Sequence, residues 1–223
     1  MEFLVRGNDG NVWVYDDLDE YLRGVGEVPA LWEPAVVQAQ MVAARSYAAF
    51  AYEHPRHDDC HLCARPHCQS WGNRHHYARD RAIEATRGLV LYYVGPSPPR
   101  GSRSPIVCQT FYSARCGGRT GTRDEETGIW VPVWNPPAAP WCKIVECPCP
   151  VLPGWQGETT QRHGHGIGLC QWGARVLARR GYTFRQILQH YFADFALGIY
   201  GQGPSCPEKP GQDIEHTDPG GDR

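Results

Sequence analysis

Apolar positions in this chain repeat with two periods. Between Glu33 and Tyr52, Val36, Gln40, Ala43, Tyr47 and Phe50 fall at three- and four-residue steps, which predicts one long helix with a buried stripe. Pro34 suits its first turn, where a missing N–H is no loss. Alanines at 39, 43, 44, 48, 49 and 51 favour helix and let neighbours pack closely. Gln38 and Arg45 are seven residues apart and share a face rotated off that stripe. Phe3–Arg6 and Val12–Tyr15 flank a glycine-rich turn and predict a β-hairpin. Asp16 caps a short helix from Leu18 to Arg23, with acids in its first turn. Further on, a helix is predicted over Ala78–Arg87 with Gly88 as its C-terminal cap. Strands are predicted over Leu89–Val94 and Ile106–Tyr112. A glycine-dense turn from His163 to Gly173 enters a helix that runs to about Arg180 and is stopped by Gly181. Thr183 and Gln186 form a capping box for a last helix, lined by Phe184, Ile187, Leu188, Tyr191 and Phe192.

These elements predict a single α+β domain: a long buried helix, short strands and irregular loops stapled by cysteines. The expected divisions are a hairpin over residues 1–17, the main domain over 18–201 and a disordered tail over 202–223, where glycine, proline and acids replace aliphatics. Two stretches break the periodicity. Residues 54–76 are rich in His, Cys and Arg, and residues 124–160 in Trp, Pro and Cys. The chain has 223 residues and a net charge of −2, so nothing points to nucleic acid as a partner. No segment is long or apolar enough to span a membrane.

Ten cysteines change the picture more than charge does. Such density suggests metal or redox chemistry inside a cell and disulfides outside it. Cys60, Cys63, His67 and Cys68 have spacings that satisfy a zinc site on paper.

Motifs add a resemblance. Gly26-Glu27-Val28-Pro29, then Gln38-Ala39-Gln40-Met41-Val42-Ala43-Ala44-Arg45-Ser46-Tyr47-Ala48, resembles the "EMP…ALKAQAVAARTYAL" opening of the SpoIID domain family of bacterial cell-wall proteins. Gln69-Ser70-Trp71-Gly72, Ala85-Thr86-Arg87-Gly88-Leu89-Val90-Leu91-Tyr92 and Phe111-Tyr112-Ser113-Ala114-Arg115-Cys116-Gly117-Gly118 resemble later motifs of that family, in its order. Gly164-His165-Gly166-Ile167-Gly168-Leu169-Cys170-Gln171-Trp172-Gly173 is similar to its "GHGVGLSQWG".

The resemblance implies a peptidoglycan lytic transglycosylase with Glu27 as its acid and base. Val25, Val28, Leu31 and Trp32 are the expected apolar wall around that carboxyl. Arg45, Gln38, Gln40, Tyr112, Ser113, His165 and Gln171 are the expected substrate-binding residues. For Arg45, a structural role tying the helix to a loop stays equally open. Gln38 stands where the family commonly has lysine, a departure that supports a rival reading: a non-catalytic glycan-binding enhancer of a cell-wall amidase. The implied partner is peptidoglycan glycan strands, and the implied location is extracytoplasmic, with a leader outside this sequence because Glu2–Arg6 does not resemble one. That location favours disulfides over zinc at Cys60–Cys68, with Cys63–Cys68 closing a short loop, although some relatives bind zinc near the active site. By analogy with relatives, Cys116 is expected to bridge to Cys142, and Cys170 to be buried. No cofactor is needed for the chemistry, and zinc would be structural.

Overall fold

The computed structural model of the protein describes residues 1–65, 67–72, 75–96, 105–123, 130–131, 139–149 and 162–204. In chain order the elements are β1 (Phe3–Arg6), β2 (Val12–Tyr15), α1 (Leu18–Leu22), α2 (Pro34–Glu53), β3 (Leu62–Cys63), α3 (Tyr77–Ala85) and β4 (Leu89–Tyr93). They continue with β5 (Ile106–Val107), β6 (Tyr112–Ser113), β7 (Thr122–Arg123), β8 (Trp130–Val131) and β9 (Leu169–Cys170). The last three are α4 (Gln171–Arg179), α5 (Phe184–Tyr191) and β10 (Phe195–Ile199). This is the expected single-domain α+β fold. The tail expected from residue 202 lies, from 205 onward, outside the described residues.

α2 is the axis of the molecule. Pro34 opens it, as its fixed φ and missing N–H allow. Instead of one stripe, the helix is buried on nearly all sides from Val36 to Ala49, leaving only Gln38 half-buried. Its alanines explain the difference, because a small side chain lets a neighbouring backbone approach from any direction. Val37, Met41, Ala44, Tyr47 and Ala48 belong to one hydrophobic core, with Phe3, Val5, Tyr21, Leu22 and Ile83. Val36, Ala39, Val42 and Ala43 belong to a second, with Leu91, Trp141, Leu169, Ile187, Leu188 and Tyr191. Polar side chains lock the sheets to the same helix: Ser46 Oγ accepts from the Leu91 amide at 2.9 Å, and Thr110 Oγ1 donates to the Ala43 carbonyl at 2.6 Å.

The strands form four small sheets among the described residues, of which the one holding β4 and β5 packs on α2. β1 and β2 form the expected hairpin, in register Phe3 to Tyr15, and β3 joins β1 in parallel. β4 is central to a second sheet, flanked antiparallel by β10 and β5. The strand expected over Ile106–Tyr112 is two strands: β5 pairs with β4, whereas β6 pairs in parallel with β9. Between them the chain leaves one sheet for the other, with the Gln109 carbonyl accepting from the Trp141 indole and the Thr110 hydroxyl bound to α2. α1 is capped by Asp17 and not by Asp16. The capping box of Thr183 and Gln186 forms as expected.

The cysteine staples are corrected. All nine described cysteines are free thiols; Cys206 lies outside the described residues. Cys116 faces Cys149 at 3.7 Å and not Cys142, which lies beside Cys108. Cys63 and Cys68 each face a histidine.

Candidate active site

Glu27 sits where two distant motifs meet. Gly24–Glu27 runs beside Ser70–Gly72: Val25 bridges to Trp71 in antiparallel fashion, the Gly26 amide donates to the Ser70 carbonyl at 2.9 Å, and the Gly72 amide to the Gly24 carbonyl at 2.9 Å. That pairing aims the Ser70 amide at Glu27 Oε1, 2.5 Å away. The second donor is the side chain of Gln171, the first residue of α4, which hydrogen-bonds the same carboxyl. Burial raises the Glu27 pKa above the usual carboxylate value, and the two hydrogen bonds, from Ser70 and then Gln171, oppose it without cancelling it.

Of the expected wall, Val25 and Val28 are buried, but Leu31 is 73% exposed and points away from any core. Trp32 packs edge-on against Trp172 at 5.0 Å and carries the Arg175 guanidinium over its ring. Glu33, at the start of α2, accepts from Arg175 at 3.1 Å and Arg179 at 2.6 Å, so α4 is tied to the helix entry just beyond the Glu27 loop.

Beneath the carboxyl lies a chain of neutral polar groups. Tyr21 Oη donates to Gln69 Oε1 at 2.5 Å; Gln69 Nε2 donates to Tyr112 Oη at 2.5 Å and to the Ala44 carbonyl at 3.0 Å. Burial, and after it the negative charge of Glu27, push both phenols well above their usual pKa. Both rings therefore stay protonated as donors beside the acid. Tyr112 packs against both hydrophobic cores, which places the site on their seam.

The structure thus brings Glu27, Gln171 and Tyr112 together. It puts the other expected residues elsewhere. Arg45, 1% exposed, is spent in an ion pair with Asp19 at 2.5 Å and a bond to the Leu89 carbonyl at 2.9 Å. Ser113 is buried and accepts from the Gly166 amide at 3.2 Å. His165 accepts from the Ile167 amide at 3.0 Å and hydrogen-bonds the Tyr112 backbone; burial lowers its pKa to about 4, so it is neutral. Both residues shape the glycine turn that feeds α4. In that turn Gly168 has a φ of +69°, and a Cβ there would stand 2.1 Å from the Phe111 carbonyl oxygen. Gln40 is wholly buried on α2, and neither polar atom of its amide has a hydrogen-bond partner among the described residues. Gln38 is half-buried on the same helix.

Tyr21, Gln69 and Ser70 were not among the expected site residues. Gln69 and Ser70 open a recognised motif, which is the signal that was available; Tyr21 carried none, since a buried tyrosine on a short helix is ordinary core.

Next to Gln69 lies a group of metal-ligating side chains. The ligand atoms of His57, Cys63, His67 and Cys68 all lie within 4.8 Å of one another. His57 Nε2 is 3.3 Å from Cys68 Sγ, and His67 Nε2 is 3.3 Å from Cys63 Sγ. Cys60 is buried apart from this group, and His57 takes the place expected for it. Two thiols and two imidazoles at this spacing fit a tetrahedral zinc ion.

Comparison with known families bears on the Glu27 loop and the 69–72 motif together. Residues 9–93 match the SpoIID family, stage II sporulation protein. The SpoIID segment takes in α1, α2, α3 and β4, with Glu27, Gln69 and Ser70. The match supports a cell-wall, sporulation-related role. No curated protein matches the chain. Among the described residues no helix is long and apolar enough to cross a membrane.

Proposed function

We propose that the protein is a peptidoglycan lytic transglycosylase acting through Glu27. The observation that carries this reading is the half-buried carboxyl of Glu27, held by two uncharged donors, the Ser70 amide and the Gln171 side chain, with its pKa raised by desolvation. Among the described residues, no second carboxylate contributes to its shift. A hydrolytic glycosidase needs two carboxyl groups, one for the leaving oxygen and one for water or the anomeric carbon. Intramolecular transglycosylation needs one. Glu27 gives its proton to the glycosidic oxygen as the bond from C1 of N-acetylmuramic acid to N-acetylglucosamine breaks. The resulting carboxylate then accepts the proton of the muramic C6 hydroxyl as O6 bonds to C1, and the product is the 1,6-anhydro sugar. Acid and base are the same group in sequence, so its proton is restored at the end of the cycle.

Gln171 and the Ser70 amide hold the carboxyl in place, and the Tyr112 phenol, kept protonated, is placed to donate to substrate oxygens. His57, Cys63, His67 and Cys68 would hold a zinc ion whose contribution is structural, fixing the loop that leads into Gln69.

The test is mass spectrometry of muropeptides after incubation with purified glycan strands. Wild type is expected to release 1,6-anhydromuramic ends. Glu27→Gln is expected to lower release by about 10²-fold or more, the usual contribution of a positioned acid–base, while still binding glycan. Glycan binding with no anhydro product from wild type would overturn the enzyme and favour the amidase-enhancer reading.

A further inference from the structure

Cys116, Cys147, Cys149 and Cys170 come from three separate stretches, yet their sulfurs all lie within 4.8 Å of one another. Cys116 follows β6 at the start of the Gly117-Gly118 turn, Cys170 ends β9, and Cys147 and Cys149 arrive on the segment between. Backbone hydrogen bonds deliver that segment: the Cys147 amide donates to the Gly118 carbonyl at 2.8 Å, and the Thr120 amide to the Val145 carbonyl at 3.0 Å. Three of the thiols are buried and Cys149 is half-buried.

We propose that these four cysteines form a structural zinc site, separate from the His57–Cys68 group. Sulfurs at about 2.3 Å from a tetrahedral zinc stand about 3.8 Å from each other. The Cys116–Cys149 separation is 3.7 Å, far beyond the roughly 2.05 Å of a disulfide. The surroundings are those of a thiolate cluster. Three sulfurs have donors beside them: the Gly118 amide at 3.2 Å from Cys149, the Gly173 amide at 3.4 Å from Cys170, and the Tyr191 hydroxyl at 3.3 Å from Cys147. Such outer bonds orient ligands and spread the negative charge that four thiolates leave on a divalent ion. Cys170 is also the N-terminal cap of α4, where the helix dipole favours negative charge. Room for the cluster depends on Gly173, whose Cβ would stand 2.2 Å from Cys147 Sγ and 2.3 Å from Tyr191 Oη. All-sulfur tetrahedral sets select zinc or iron, and identifying the bound metal tells the two apart.

The consequence is local. Gln171, which hydrogen-bonds Glu27, is the next residue after ligand Cys170. The ion would therefore fix the first turn of α4 and, through it, the second donor to the acid.

The experiment uses the full chain purified under reductant. Zinc is counted by plasma mass spectrometry and its neighbours by X-ray absorption, on wild type and on Cys63→Ser/Cys68→Ser, which disables the other group. The double variant is expected to keep one zinc per chain with four sulfur neighbours. Adding Cys149→Ser is expected to remove it. Should the double variant fail to fold, Cys149→Ser alone decides: it is expected to lower wild-type zinc by one equivalent. A double variant without zinc, iron in its place, zinc unchanged by Cys149→Ser, or a disulfide among the four cysteines in peptide maps of wild type overturns the proposal.

Discussion

Two opposing influences meet on the carboxyl of Glu27. Burial disfavours the charged form, while the Ser70 amide and the Gln171 side chain favour it, and burial prevails. Removing one donor must then raise the pKa further. Gln171→Leu is expected to shift the alkaline limb of the pH–rate profile, which reports loss of the acid's proton, to higher pH. Profiles measured on purified glycan strands check this; an unmoved limb would mean that another group titrates there. The same shift has a thermodynamic side. With its pKa raised on folding, Glu27 binds more protons in the native state, so stability falls as pH climbs from the ordinary carboxyl value of 4.5 through the raised one. Glu27→Gln is expected to melt higher than wild type at neutral pH and to lose that advantage below the ordinary carboxyl range, in parallel thermal denaturation. Glu27, Tyr112 and Gln171 were legible because each stands in a motif. Their spacing along the chain said nothing of their meeting, since Gln171 reaches Glu27 only through the turn held by Ser113 and His165.

At the scale of elements, the pair Arg45–Asp19 shows what spacing cannot decide. The seven-residue interval placed Arg45 on a helix face with Gln38, but the partner on that face was unknown. α1 packs there, and Asp19 takes Arg45 with one oxygen and the Gly88 amide with the other, at 2.7 and 3.1 Å. One buried pair so joins α1, α2 and the start of β4. Arg45→Met leaves Asp19 unpaired, and losing one partner of a buried pair costs about 3–5 kcal/mol. Denaturant unfolding should show that loss, whereas the alkaline limb of the rate profile should stay in place, because Arg45 makes no contribution to the Glu27 shift. Element positions were otherwise readable wherever period and caps agreed, as for α2 and the Thr183 box. The split of the expected 106–112 strand was not, because an apolar run looks alike whether it stays in one sheet or passes to another. The Cys116 cluster was hidden for a related reason: its ligands lie on turns and irregular chain, where no period registers.

Taken whole, the molecule is two hydrophobic cores on either side of one alanine-rich helix, with the acid at their seam. The first core draws mainly on α1, α2, α3 and β4 within the SpoIID segment, with Phe3 and Val5 of β1 before it and Val107 of β5 after it. The second packs Trp141, β9, α4 and α5, which lie beyond that segment, against the other side of α2 and Leu91 and Tyr93 of β4. Glu27 belongs to the early half, while Tyr112 and Gln171 belong to the late one. A ribosome delivers these halves in turn. While the chain emerges, Glu27 is present long before Gln171 exists to hold it, and until then the carboxyl lacks its second donor. On the proposed reading, the acid would be complete only once the last third of the chain has been made and folded. Such timing would follow from nothing more than the order in which the residues are joined.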